Sequence, residues 1–432
     1  MRVERVRLED PNEAPAAAAA VRALAPAAAS VTEPVREVIE RVRADGDRAI
    51  DELTRRFDTG GEPPWPLRVD PLELRSALER LAPEVRSALE LAAGNVRAVA
   101  LAGLDRPERA VELAQGQRVV LREFPVRRAA IYVPGGRAPY PSTAIMGTVT
   151  AQAAGVEEVA VCAPPGPDGQ AQPAILAACA LCGVDEVYRM GGAQAIAALA
   201  LGTETVAPVD VIAGPGNLYV QEAKRQLSGI VGIDGFAGPS DLLVLLAGAR
   251  PRDATPLALD LLAQGEHGPD SLVVAVSAAD DELAALEERL DRLSGQRPTS
   301  DPAACVLVAA PGLEAALAFA EAFAPEHLQL AGPAAEAAAP RVRAAGCVFV
   351  GPQSGTAFGD YVAGSNHVLP TAGAARFSSG LSPRHFRRRV AEVHLAPSDA
   401  LASAGAAVAR AEGFVVHAES MEARMGDNGR HG

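Results

Sequence analysis

The seven histidines of this chain all lie beyond residue 266. Four of them stand beside or near a carboxylate or amide able to serve the same site: Gln264-Gly265-Glu266-His267, Glu326-His327, Asp360 with Asn366-His367, and Glu412 followed by His417. Imidazole titrates near neutral pH and is the commonest metal ligand. Histidines confined to the later part of a chain and paired with oxygen donors therefore point to a metal or acid/base site assembled there. His385, His394 and His431 have no role in this reading.

The spacing around each group narrows the chemistry. Thr255-Pro256 is a good N-cap and first-turn pair and Gly268 a good stop, so residues 256–267 are predicted to form one helix. Leu257, Leu261 and Leu262 would face a core, while Asp260, Gln264 and His267 at i, i+4 and i+7 share one stripe. Such a polar stripe faces water or builds a site, and spacing alone leaves both open. Glu326-His327 follows Pro325 and leads into the short apolar run at 328–330. At a loop-to-strand junction both side chains can reach one cleft, where an acid beside an imidazole suits two separate proton transfers, although the dipeptide is also common without function. Residues 351–371 interleave Gly351, Gly355, Gly359 and Gly364 with Asp360, Tyr361, Ser365, Asn366 and His367, a composition that lets backbone approach a ligand. His417 shares a helical stripe with Phe414, Met421 and Met425, as a packing histidine does unless that helix docks against another chain.

Three glycine turns come earlier: Pro134-Gly135-Gly136, Gly191-Gly192-Ala193-Gln194 and Gly214-Pro215-Gly216-Asn217. Strand, glycine turn and helix start together expose free amides and the positive end of a helix dipole to an anion such as a nucleotide phosphate. None matches Gly-x-Gly-x-x-Gly and there is no P-loop, so ordinary turns remain an alternative.

The elements that must position these groups follow from periodicity. Residues 16–20 form an alanine run, and Val35, Val38, Ile39, Val42, Ile50 and Leu53 recur at helical spacing with Pro34 at a start position, so the first hundred residues read as helical scaffold. From Ala129 short β-rich runs at 130–133, 156–162, 184–190 and 209–213 alternate with helical segments. A second set follows at 242–246, 272–276, 305–309 and 347–350. Such alternation implies parallel sheets with crossover helices, hence two α/β units. After Pro383 the chain reads as helical, with Ser398 an N-cap, a helix at 401–412, Gly413 a stop and another helix at 414–425. No repeat of 20 to 50 residues is visible.

Composition sets the outer bounds. A chain of 432 residues splits into more than one core, and 49% hydrophobic with 22% charged residues is globular. The net charge of -14 argues against a nucleic-acid partner and mildly favours a cationic substrate. The basic cluster of Arg384 and residues 387–389 reads as a solvated helix face. Five cysteines do not make a disulfide framework, and Cys179 and Cys182 read as helix packing rather than a redox or zinc pair. With no leader and no long apolar stretch, the expected location is the cytoplasm, in solution.

Taken together, these strings resemble the histidinol dehydrogenase family, the zinc- and NAD-dependent enzymes that finish histidine biosynthesis. The carrying segments are residues 131–136, 190–199, 214–217 with 222–226, 237–240, 264–268, 324–328 and 359–371, long and ordered motifs that extend to His417 and cover nearly the whole chain. The resemblance implies two Rossmann-like parallel-sheet α/β domains, similar to aldehyde dehydrogenases, with a helical N-terminal arm and a helical C-terminal appendage. It implies an arm at 1–28, a first α/β domain from 29–130 and 239–377 carrying the metal and catalytic site, an NAD-binding α/β domain at 131–238, and a dimerisation appendage at 378–432. The implied metal ligands are Gln264, His267, Asp360 and His417, the last reaching the partner's site in a homodimer. Two imidazoles and two oxygens suit zinc, though such a set also accepts manganese or cobalt. His327 would be the general base and Glu326 the group that activates water. Ser240, Gln264, His267, His327, Asp360, Glu412 and His417 would surround L-histidinol, and Tyr132, Gln194 and Asn217 would touch NAD.

Two residues depart from the family pattern. Gly265 replaces the usual Ala and loosens the last helical turn by up to about 1 kcal/mol. Asp241 stands after Ser240 where Glu is common. Neither removes a ligand, but relatives of this kind oxidise other small hydroxyl compounds with NAD, and that alternative stays open beside the histidinol branch, which Glu412 and His417-Ala418 favour. A zinc hydrolase using Glu326 or Glu266 lacks its His-Glu-x-x-His helix here. A non-catalytic binding protein would have no need of the full set of residues.

Overall fold

A run such as Leu242-Leu243-Val244-Leu245-Leu246 cannot lie on a sheet with one wet face, so it demands helices on both sides. The computed structural model describes residues 2–25, 30–63, 65–104, 107–135, 138–236, 238–250, 253–296 and 303–425; Gly136, Ala237 and His431 of the sequence reading lie outside them. The chain divides into two units, Met1–Gly103 with Val126–Phe386, and Leu104–Pro125 with Arg387–Gly432.

The larger unit opens with β1 (Arg2–Arg7), α1 (Ala14–Arg22), α2 (Thr32–Phe57), α3 (Pro71–Arg80) and α4 (Pro83–Ala102). The smaller unit then begins with β2 (Glu108–Glu112) and β3 (Arg118–Pro125). Back in the larger unit come β4 (Arg128–Tyr132), α5 (Pro141–Ala153), β5 (Glu158–Ala163), α6 (Pro173–Leu181), β6 (Glu186–Arg189), α7 (Gly192–Leu201), β7 (Val211–Ala213), α8 (Leu218–Leu227) and β8 (Gly232–Ile233). Then follow β9 (Asp241–Leu246), α9 (Ala254–Gly265), β10 (Leu272–Ser277), α10 (Asp280–Gly295), β11 (Ala304–Ala309), α11 (Leu313–Phe323), β12 (His327–Ala331), α12 (Pro333–Ala337), β13 (Cys347–Val350) and α13 (Thr356–Tyr361). The smaller unit closes the chain with β14 (Arg387–His394), α14 (Asp399–Ala411) and α15 (Val415–Glu422).

Two sheets organise the larger unit, in the orders β6-β5-β4-β7-β8 and β1-β11-β10-β9-β12-β13. All their pairings are parallel. Strand alternation feeds two cores from each sheet. In β9, Leu243 and Leu245 pack with α1 and α11, while Leu242 and Val244 pack with α9 and α10. In β4, Ala129 and Ile131 belong to the core with α3 to α6, while Ala130 and Tyr132 belong to the core with α2, α7 and α8. The expected pair of parallel α/β units is present, and no helix among the described residues is long and apolar enough to cross a membrane.

Three parts of the sequence reading are corrected. The opening residues are not wholly helical, because Arg2–Arg7 forms an edge strand paired with β11; its valines, Val3 and Val6, stand three apart, a spacing that fits one face of a helix rather than one face of a strand. The helices within 32–102 cover the β4–β8 sheet rather than the β9–β13 sheet to which residues 29–130 were assigned. Amphipathic spacing says that a helix buries a face but not which sheet receives it. Finally, residues 387–389 begin a strand and not a helix: Arg387–His394 pairs antiparallel with β3, which pairs with β2. The helices expected after it form as α14, capped by the Ser398 side chain, and α15, with Gly413 at φ 82° between them. Cys179 is buried on α6 and Cys182 caps its end, both as free thiols pushed up by burial.

Candidate active site

Pro325 and the left-handed Ala324 (φ 47°) end α11 and turn the chain into β12, so that Glu326 is the last residue before that strand and His327 its first. Both side chains are buried. The expectation that a junction lets adjacent side chains reach one cleft matches the geometry, since both line a cavity of about 710 Å³ together with Ser240, His267, Asp360 and His367.

Glu326 is held from two sides. Its Oε2 accepts from the Ser240 hydroxyl at 2.5 Å and from the Asp241 amide at 3.0 Å, while its own amide donates to Asp241 Oδ1 at 2.7 Å. The other oxygen of Asp241 pairs with Arg22 of α1 at 3.1 Å. Burial pushes the Glu326 carboxyl up to about 7, partly offset by His327. His327 sits with Nδ1 at 3.4 Å from the Asp241 carbonyl and 3.8 Å from Glu326 Oε2, and with Nε2 at 3.5 Å from Asp360 Oδ1. Burial works to lower it, but the charges of Glu326 and Asp360 prevail and push it up to about 9. Burial works to raise Asp360, but the hydrogen bond and charge of His327 hold it below the usual carboxylate range. A single cavity thus contains an acid biased to keep its proton and a carboxylate biased to lose it.

The loop after β13 carries Asp360 at the end of α13. Gly359 lies against the Phe349 ring of β13, where a Cβ would come within 2.5 Å, so only glycine lets this short helix pack closely enough to aim Asp360 at His327. His367 holds the same loop: Nδ1 lies 2.9 Å from the Asp360 carbonyl and Nε2 3.0 Å from Thr143 Oγ1.

The polar stripe of α9 is divided. The helix spans Ala254–Gly265, starting and ending slightly earlier than its spacing suggested. Asp260 turns away from the cavity and accepts from Gln329 at 2.9 Å. Gln264 is buried and donates through Nε2 to Ser240 Oγ at 2.5 Å, yet its Oε1 is buried without a protein partner. His267, just past the helix end, is kept neutral by burial. An orphaned amide oxygen, a neutral imidazole and an ionised carboxylate are donors a divalent cation such as zinc accepts, and their chemistry fits that group. Among the described residues no group of three or more His, Cys, Asp and Glu side chains gathers that could hold a metal ion. Glu412, at the end of α14, and His417, on α15 with its ring 5.2 Å from that of Phe414, belong to the smaller unit and are exposed.

Gly135, Gly192 and Asn217 of the glycine turns line the neighbouring cavity, of about 830 Å³, with Tyr132 and Gln194; Gly214 and Gly216 line the first, and Gly135 and Asn217 line both. Gly214 adopts φ 120° and a Cβ there would fall 2.1 Å from the Tyr132 carbonyl oxygen. The turn is clamped by a buried ion pair: Lys224 Nζ donates to the Gly214 carbonyl at 2.5 Å and to Asp234 at 2.7 Å, and Asp234 accepts from the Gly214 amide at 2.7 Å. The Asn217 side chain caps α8 by accepting from the amides of Tyr219 and Val220, and the Tyr132 hydroxyl accepts from the Gly192 amide at 3.1 Å. Neutral dipoles thus line this cavity's junction with the acidic one. Sequence reasoning missed Arg22, the anchoring role of Asp241, and the Lys224–Asp234 clamp. Each joins residues far apart in the chain or acts through backbone, and no local pattern marks it.

The family model described as histidinol dehydrogenase matches residues 23–425. A histidinol dehydrogenase of Parasynechococcus marenigrum is 44% identical over 402 residues, covering 90% of each chain. One from Gluconobacter oxydans is 41% identical over 92% of this chain and 94% of its own. The crystal structure of histidinol dehydrogenase from Elizabethkingia anophelis superposes with a TM-score of 0.88 at 30% identity, covering 98% of both chains. The chain belongs to the histidinol dehydrogenase family.

Proposed function

We propose that this chain oxidises L-histidinol to L-histidine through histidinal, in two successive NAD-linked hydride transfers with zinc in the site, as the last step of histidine biosynthesis. The observation that carries this reading is the burial of Glu326 and His327 side by side in a cavity that adjoins a second, glycine-turn cavity lined by Tyr132, Gln194 and Asn217. Family membership supports the oxidation of histidinol.

His327 takes the hydroxyl proton of the alcohol and later that of the hydrate. The charges of Glu326 and Asp360 stabilise the imidazolium so formed, and the Asp241 carbonyl orients its ring. Glu326, biased towards keeping a proton, exchanges one with the water that adds to the aldehyde; Ser240 and Asp241 keep its Oε2 in place. Gln264, His267 and Asp360, with His417 of the partner subunit, would hold the zinc, and Ser240 and Glu412 would complete the substrate's surroundings. A zinc ion there would supply a Lewis acid for the substrate's nitrogen donors and a positive charge to offset that of Asp360, which favours a protonated His327. Two NAD molecules in succession would accept the two hydrides, each held by Tyr132, Gln194 and Asn217.

NADH formed per histidinol consumed tests the reading. Two are expected, and turnover should cease with a chelator; one NADH with histidinal accumulating would overturn it. Sharing of the site between subunits is tested by mixing Glu326→Gln with His417→Asn protein. If His417 acts across a dimer, random pairing regenerates about a quarter of the active sites, whereas a site within one chain regenerates none.

A further inference from the structure

Asp58 closes α2 and lines the glycine-turn cavity. Its Oδ2 is buried and takes no hydrogen bond from the protein. The carboxylate also stands at the C-terminal end of a helix, where the helix dipole repels negative charge. Burial raises its pKa to about 6, which leaves it ionised at neutral pH. The arginines that line the same cavity are engaged elsewhere: Arg41 pairs with Glu52, and Arg56 lies over the Phe57 ring. A buried acceptor without a partner at the wrong end of a helix weakens the fold, so what retains it is a ligand that brings donors.

The position of Asp58 names the ligand group. It lines the cavity of Tyr132 and Gln194 but not that of Glu326 and His327. On the reading given above, the hydride-accepting ring faces Glu326 and His327 across the shared Asn217 and Gly135, which leaves the adenosine half for the Asp58 end. An ionised carboxylate only accepts, and a ribose offers hydroxyl donors. We propose that Asp58 accepts a hydrogen bond from the adenosine ribose 2′-hydroxyl and so selects NAD over its 2′-phosphorylated form. A 2′-phosphate would remove the donor and set two negative charges together.

This inference rests on the NAD reading, and one experiment separates the two. Histidinol oxidation and direct nucleotide binding are measured with NAD and NADP for the wild type, Asp58→Asn and Asp58→Ser. The wild type should prefer NAD, and the variants should raise KM for NAD about 10- to 100-fold at little-changed kcat, the size of a lost charged hydrogen bond. The preference over NADP should fall by at least about tenfold, with nucleotide-free Tm unchanged or higher because an unpartnered carboxylate has gone. If the wild type binds and reduces neither nucleotide, the NAD reading and the inference fall together. Should NAD bind while Asp58→Asn leaves both its KM and the preference unchanged, or lower Tm and both nucleotides' kcat alike, the inference alone falls.

Discussion

The two parallel sheets of the larger unit follow one construction rule and end in opposite chemistry. At the ends of β9, β12 and β13 the chain buries charge: Asp241, Glu326, His327 and Asp360 are held by one another and by Arg22. At the ends of β4, β6 and β7 it presents backbone amides, a phenol and two carboxamides, with the buried ion pair Lys224–Asp234 placed beneath the turn to fix Gly214. The contrast separates two tasks. Proton transfer needs titratable groups whose pKa values have been pushed apart, and only burial with charged neighbours does that. Cradling an anion needs shape and fixed dipoles, and glycine turns with a helix start supply these from the backbone.

If the division holds, changes in the two regions should fail in different kinetic constants. The largest effect belongs to the acidic cavity. Glu326→Gln and His327→Asn keep size and hydrogen-bonding capacity, and each should lower kcat by about 10²- to 10⁴-fold with KM for the nucleotide unchanged. Far-ultraviolet circular dichroism should show the fold intact. A variant pair as active as the wild type would abolish the distinction, because the buried charges would then be structural only.

A change at the other sheet should act on binding. Gly214→Ala forces φ 120° on a residue with a Cβ, which must also displace the Tyr132 carbonyl oxygen 2.1 Å away. The backbone strain is about 1–3 kcal/mol. KM for NAD should rise about tenfold or more, with a lower Tm and a kcat at saturation much nearer wild type than in the Glu326 and His327 variants. Steady-state kinetics with varied NAD checks this, and a loss confined to kcat would contradict it.

The same contrast explains what the sequence could reveal. Glycine turns at strand ends are local, so Gly191-Gly192 and Gly214-x-Gly216 were legible as a ligand cradle, and Tyr132, Gln194 and Asn217 do gather at one cavity. The Gln264–His267 spacing and the Glu326-His327 junction were legible for the same reason. Asp260 shared their stripe but turns to Gln329, because a helical wheel gives a direction and not the neighbour that lies along it. The anchoring of Glu326 was not legible at all: Arg22, Asp241 and Glu326 are brought together only by α1 packing beneath β9 and by β9 pairing with β12. The sheet that α2 to α4 cover was equally hidden, since apolar spacing carries no address.

The smallest effect distinguishes buried charge from fixed dipoles without any catalysis. Burial raises the Glu326 carboxyl from an ordinary 4.5 to about 7 in the folded chain. Between these values the native state holds a proton that the unfolded chain has released, so stability should fall as pH rises through the window. The upper limit is on the order of 3 kcal/mol, since a tenfold change in proton affinity is worth about 1.4 kcal/mol. Glu326→Gln cannot titrate and should flatten the decline in denaturation midpoint between about pH 5 and 8, measured with chelator present. Gln194→Ala, in the neighbouring cavity, removes no titrating group and should leave the slope of the wild type unchanged. Parallel slopes for all three proteins would mean that Glu326 ionises in the folded chain as it does in water, and the contrast between the two sheet ends would lose its electrostatic basis.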